Sequence, residues 1–144
     1  MTEELRLSRT YPVDADRLWA AWTVPDRLVR WWWRHWPGTT CTIDLRVGGR
    51  WRIDAPQQGI AVHGEYVTLE EPSLLAFTWI WREDGTDGPV EDVEVRFTPT
   101  PEGTLLDLHH TGIADAAGVA DYRQGWTFVL DQLADTTSAT PATG

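Results

Sequence analysis

His109 and His110 are the residues of this chain best suited to holding or moving a proton, and their adjacency limits what they can do. The stretch TLLDLHHT (104–111) alternates like a strand, so neighbours face opposite sides and the two rings cannot chelate one metal together. His110 falls on the side of Leu106 and Leu108 and is expected to point inward. There it is an interior histidine satisfied by a neighbour, a polar anchor for a ligand oxygen, or a general base. The last role needs a second titratable group within hydrogen-bond reach, and the sequence places none. His63 and Glu65 share a face of another alternating stretch, but Tyr66 and Leu69 then sit on opposite parities. A bulge between them would reconcile the pattern, and His63 is left without a role. His35 reads as a surface residue.

Other chemistry is missing. There is no G-x-S-x-G, no H-E-x-x-H, no phosphate-binding glycine loop and no paired cysteines. Cys41 is the single cysteine, without an internal disulfide partner or metal-ligand spacing, and reads as a small buried or edge residue. The carboxylates are spread over turns and helix surfaces. No catalytic residue, metal site or cofactor is assigned.

What remains is aromatic. Ten tryptophans occur in 144 residues, four of them in RWWWRHW (30–36). Trp19, Trp22 and Trp31 fit the packing of short helices onto a sheet. Trp32, Trp33 and Trp36 cannot all be core if that segment is helical, because one helical face cannot hold consecutive residues. Trp33 or Trp36 is therefore expected at the mouth of a pocket. Trp51, Phe77, Trp79 and Trp81 alternate on strands and should point inward. Tyr122, Trp126 and Val129 would join them from a C-terminal helix, with Tyr66 and His110 as polar contacts. Such walls suit a flat conjugated ligand through offset stacking, worth roughly 0.5–1.5 kcal/mol per ring pair beyond area burial. The same rings could equally fill the space and leave no pocket.

Composition narrows the partners. The formal net charge is −10, and all twelve basic residues are arginine. Clustered positive charge, which drives binding to phosphate backbones and anionic membranes, is absent. The opening MTEELRLSRT is polar and acidic rather than a signal peptide. No apolar run approaches the eighteen or so residues of a membrane span. A reducing cytoplasm is the expected compartment, and a small apolar or aromatic molecule the expected partner. A protein partner is possible but nothing indicates one.

The elements that must position these residues follow from periodicity. EELRLSRTY (3–11) alternates as a first strand. Asp14 caps a helix through about Trp22. TVPD (23–26) reads as a second helix start, with Thr23 as cap, Asp26 completing a capping box, and Leu28, Trp31 and Trp32 on one stripe. Strands are expected over 41–45, 50–54, 60–69, 74–81, 90–98 and 104–111, with 82–89 as an acidic turn. After Gly112 the stripe Tyr122, Trp126, Val129, Leu130 and Leu133 marks a long helix. Gly125 within it either permits close approach of the sheet or leaves room for a ligand. Residues 1–136 form one domain, and 137–144 read as a disordered tail.

WTVPDRLVRWW, DLRVGGRW, HGEYVTLEEPSLLAFTW and RQGWTFVLDQLA, in that order, resemble the START-like (SRPBCC) superfamily. The best match is its branch named for activator of heat-shock-protein ATPase homologues, over roughly residues 5–136. The resemblance implies an α+β helix-grip fold: a curved antiparallel sheet of six to seven strands wrapped around the C-terminal helix, with two short helices after the first strand. It also implies a hydrophobic cavity between sheet and helix. The chain departs from the branch where WW is commonly followed by glycine and proline; here WWWRHWPG adds Trp33 and Trp36. The expected function is binding of a small aromatic ligand, as in sequestration or self-resistance in a natural-product pathway. A polyketide cyclase or dehydratase using the same cavity is the alternative, and a co-chaperone-type protein-binding module comes third.

Overall fold

The structure, a computed structural model, describes residues 2–138. Strand β1 (Glu3–Tyr11) is followed by helices α1 (Ala15–Thr23) and α2 (Pro25–Leu28). Six strands come next: β2 (Thr40–Ile43), β3 (Arg50–Ala55), β4 (Ile60–Glu70), β5 (Leu74–Glu83), β6 (Thr86–Thr100) and β7 (Gly103–Ile113). Helix α3 (Ala116–Ser138) is the last element among the described residues. The strands form one antiparallel sheet in the order β1-β7-β6-β5-β4-β3-β2. This is the helix-grip arrangement expected from the sequence, with seven strands. The tail expected from residue 137 lies outside the described residues from 139 onward, and 137 and 138 belong to α3.

Each strand buries one face because its apolar residues recur every second position. Val93, Val95 and Phe97 of β6 are buried beside Leu106 and Leu108 of β7. The Tyr11 hydroxyl of β1 donates to the Leu130 carbonyl at 3.0 Å, pinning α3 across the sheet, and Arg9 pairs with Asp131 nearby. On β4 the register shifts between Tyr66 and Thr68, leaving Val67 outward. This is the bulge that the parities of Tyr66 and Leu69 require, and Leu69 packs against the core. His63 and Glu65 consequently lie on the outer face, where His63 meets Asp87 at 3.0 Å and Glu65 faces Arg50 at 3.9 Å.

Three local expectations are corrected. The acidic turn expected over 82–89 is only the tip of a hairpin. Asp84 (φ 50°) and Gly85 (φ 81°) both take positive φ, the signature of a tight two-residue turn, so β5 and β6 run almost to it. Thr23 does not cap α2; its hydroxyl donates to the Trp19 carbonyl at 2.8 Å, and Val24 occupies the cap position without a side-chain bond. Finally, α2 ends at Leu28 rather than running on through Trp32. By contrast, Asp14 caps α1 as expected, accepting from the Arg17 amide at 2.9 Å.

Candidate functional site

His110 is fully buried on the inner face of β7, beside Leu106 and Leu108. Its Nε2 lies 2.8 Å from Glu91 Oε1, and Trp126 Nε1 donates to its Nδ1 at 3.0 Å. An indole N–H can only donate, so Nδ1 carries no proton and Nε2 donates to Glu91. Tyr122 of α3 lies against the imidazole, with ring centroids 4.4 Å apart, and its oxygen accepts from Trp79 Nε1 at 3.3 Å. Burial, reinforced by the nearby Glu91 carboxylate, holds the Tyr122 phenol well above its usual range despite the bond from Trp79. Glu91 is the second titratable group that a general base at His110 requires. A signal for it exists: Glu91 shares strand parity with the buried Val93, Val95 and Phe97.

The aromatic residues gather around two small hollows rather than one large cavity. The first, about 70 Å³, lies between β5 and α3. Trp32, Trp33, Trp79 and Trp81 form one side of it, and Tyr122, Trp126 and Val129 the other. It meets the surface at Gly125, which is exposed, between the half-buried Trp81 and Tyr122. A Cβ added at Gly125 would meet nothing within 4 Å, so this glycine leaves room instead of admitting a close neighbour. The second hollow, about 20 Å³, lies toward β2 and β3, with Trp51, Tyr66 and Phe77 in its wall. Trp32 lines both and divides them. His110 lines neither, lying behind Trp79 and Trp126. A larger depression, about 440 Å³, sits on the outer sheet face among Arg6, Glu94, Arg96 and Asp107, an open surface of solvated charges.

Trp31, Trp32 and Trp33 are all buried, which a continuous helix would forbid. The chain escapes that limit by leaving helical geometry. Trp33 has φ 51°, a left-handed conformation costing an L-residue roughly 1–2 kcal/mol. Its indole wedges between Trp36 (centroids 5.3 Å) and Trp81 (5.8 Å). Trp36 is half-buried, packs on Trp33 and does not line either hollow, so of the two mouth candidates it is Trp33 that reaches the hollow. Arg34 ties this loop to Asp135 of α3 at 2.7 Å, and the exposed His35 rests against Phe128. The Thr39 hydroxyl lies 2.9 Å from the Trp36 carbonyl and 3.1 Å from that of Trp33.

Several buried indoles find acceptors. Trp31 donates to the Ala21 carbonyl at 3.0 Å, and Trp79 and Trp126 donate as described. Trp22, Trp32 and Trp51 do not: their buried Nε1 atoms have no hydrogen-bond partner. A buried donor left without one costs about 1–3 kcal/mol.

Burial also pushes the Cys41 thiol up to about 12 and raises the Tyr11 and Tyr66 phenols well above their usual value. The unfolded chain gives up these protons near its ordinary 9 to 10, while the folded chain retains them. Their contribution to stability is thus complete below about pH 9 and is lost as pH rises beyond it. The urea midpoint should hold between pH 7 and 9 and fall steadily toward pH 11. A flat profile to pH 11 would show that these groups are not shielded.

Among the described residues, no group of three or more His, Cys, Asp or Glu side chains is placed to hold a metal ion, and no helix is long and apolar enough to cross a membrane.

Seven antiparallel strands gripping one long helix, with indoles packed beneath it, define an α+β protein of the helix-grip class. The chain belongs to the family described as Activator of Hsp90 ATPase homolog 1-like protein, whose model matches residues 12–138. Protein CV1439 from Chromobacterium violaceum is similar at 25% identity and TM-score 0.79, over 95% of this chain and 98% of that one. CalU16 from Micromonospora echinospora is 26% identical, with TM-score 0.74, over 98% and 78% of the two chains. DynU16, a protein in the dynemicin biosynthetic locus, shares the fold at 23% identity and TM-score 0.80; the match covers 94% of this chain and 47% of DynU16. No curated protein matches the chain.

Proposed function

We propose that the protein binds a small, flat, largely apolar molecule in the hollow between β5 and α3, and serves to sequester it in a natural-product pathway. The carrying observation is Gly125, where an added Cβ would meet nothing beside indole walls. The fold shared with DynU16, from the dynemicin locus, supports the natural-product setting. About 70 Å³ is well below the ~300 Å³ at which drug-sized pockets begin, so binding must widen the hollow. Trp33 is the ring that yields, because a return to ordinary backbone angles relieves its strain while its indole swings from the mouth.

Conjugated ligands should therefore quench the intrinsic emission of the wild-type protein. Gly125→Leu should keep the fold, plug the hollow and abolish that quenching. A panel of aromatic polyketides and lipids that left the wild-type emission unchanged would reject the reading. Quenching that survived Gly125→Leu would reject the location.

A cyclase-like enzyme remains the second reading, favoured by the buried pair of His110 and Glu91. Both ring nitrogens are already engaged, so neither is free to receive a substrate proton while these bonds stand. Turnover of a polyketide-like chain that disappears in His110→Gln, with binding kept, would restore the enzymatic reading.

A further inference from the structure

The unpartnered indoles lie around one place. Trp22, Trp32 and Trp51 are 3%, 3% and 5% exposed, and all three line the hollow of about 20 Å³ beside β2 and β3. The core does not lack acceptors in general, since Trp31, Trp79 and Trp126 each found one. All three unpaired indole atoms are donors, and the Tyr66 hydroxyl and Cys41 thiol share the wall with them, so an occupant must above all accept.

Water fits poorly. It would accept from at most two of the three indoles and bring two O–H donors of its own, for which the wall offers only the Tyr66 hydroxyl and the Cys41 thiol among Leu28, Ile43, Ile53 and Leu75. An anion fits no better, because no cationic side chain lines the hollow and a buried charge needs a partner. A neutral carbonyl oxygen accepts two hydrogen bonds and demands nothing in return.

We propose that these three indole N–H groups are the polar half of the ligand site, and that the ligand is a flat conjugated molecule bearing carbonyl oxygens, of quinone type. The proposal rests on the binding reading above and names the ligand class for it. The 20 Å³ hollow takes the oxygen, and the ring system occupies the adjoining 70 Å³ hollow. Trp32 lines both, so movement of this ring joins them into one site.

The test compares 2,3-dimethyl-1,4-naphthoquinone with 2,3-dimethylnaphthalene by titration calorimetry. The two share a ring skeleton, and the methyl groups prevent thiol addition by Cys41. The quinone should bind about 10-fold more tightly than the hydrocarbon, from one or two added hydrogen bonds. In ¹⁵N–¹H spectra of the wild-type protein, the Nε1–H resonances of Trp22, Trp32 and Trp51 should move downfield with the quinone alone. Trp51→Phe removes one donor and keeps a ring. It should cost the quinone about 3- to 10-fold and leave the hydrocarbon unchanged. Equal affinities, or equal losses in Trp51→Phe, would overturn the donor role and leave the binding reading standing. Should neither compound bind, both proposals fall. The wild-type spectra decide the matter even if Trp51→Phe does not fold.

Discussion

His110→Ala is expected to lower the unfolding free energy by about 3 kcal/mol, a substantial part of the roughly 5–15 kcal/mol available to a domain. The ring sits at the centre of a buried chain running from Trp126 through its two nitrogens to Glu91. Removing it strands an indole donor and a carboxyl group together, neither within reach of solvent. Urea unfolding measures the loss. Glu91→Gln is the control: the amide oxygen still accepts from Nε2, and the cost should stay under about 1 kcal/mol. Comparable small losses in both variants would mean that the bonds are incidental to the core.

Gly64→Ala should be at least as damaging, at about 3 kcal/mol or more. Gly64 pairs with Trp51 across β3 and β4. A Cβ there would lie 2.6 Å from the Thr78 carbonyl carbon and nearer still to its oxygen. Thr78 belongs to β5, held between β4 and β6, so its backbone cannot retreat without parting the ladder. The nearby bond from the Glu65 amide to the Thr78 hydroxyl, 2.9 Å, would be lost as well. Gly125→Ala provides the contrast. Its Cβ meets nothing, and the variant should gain roughly 0.5–1 kcal/mol from helix propensity. If thermal unfolding ranked the two variants alike, the steric account of Gly64 would be wrong.

Periodicity made the element order readable, and parity went further than expected. It put His110 inside through Leu106 and Leu108, and the clash between Tyr66 and Leu69 located a bulge. The same rule pointed to Glu91 through Val93 and Val95, but a carboxylate among inward residues is normally discounted, since its burial is affordable only beside a partner that sequence does not display. The loop after Leu28 was not legible. Three consecutive indoles are buried because Trp33 adopts a left-handed backbone, and no glycine marks the place. Nor could sequence distinguish walls from filling. Whether Trp32 borders a cavity or divides it depends on side-chain packing that spacing does not encode.

The ring contacts also have an optical consequence. Trp31, Trp22, Trp32, Trp33 and Trp36 follow one another at centroid separations of 4.9 to 6.2 Å. Trp81 branches from Trp33, and Trp79 links Trp32 to Trp51 and Trp126. At such spacings electronic excitation hops between chromophores faster than any one of them emits. A photon absorbed deep in the core drains to whichever indole has the lowest excited state, and near-ultraviolet circular dichroism should show paired bands of opposite sign from exciton coupling. These nine tryptophans, all but Trp19, which packs on Phe97, should therefore act as a single antenna, in which one molecule lodged against any member darkens the linked array.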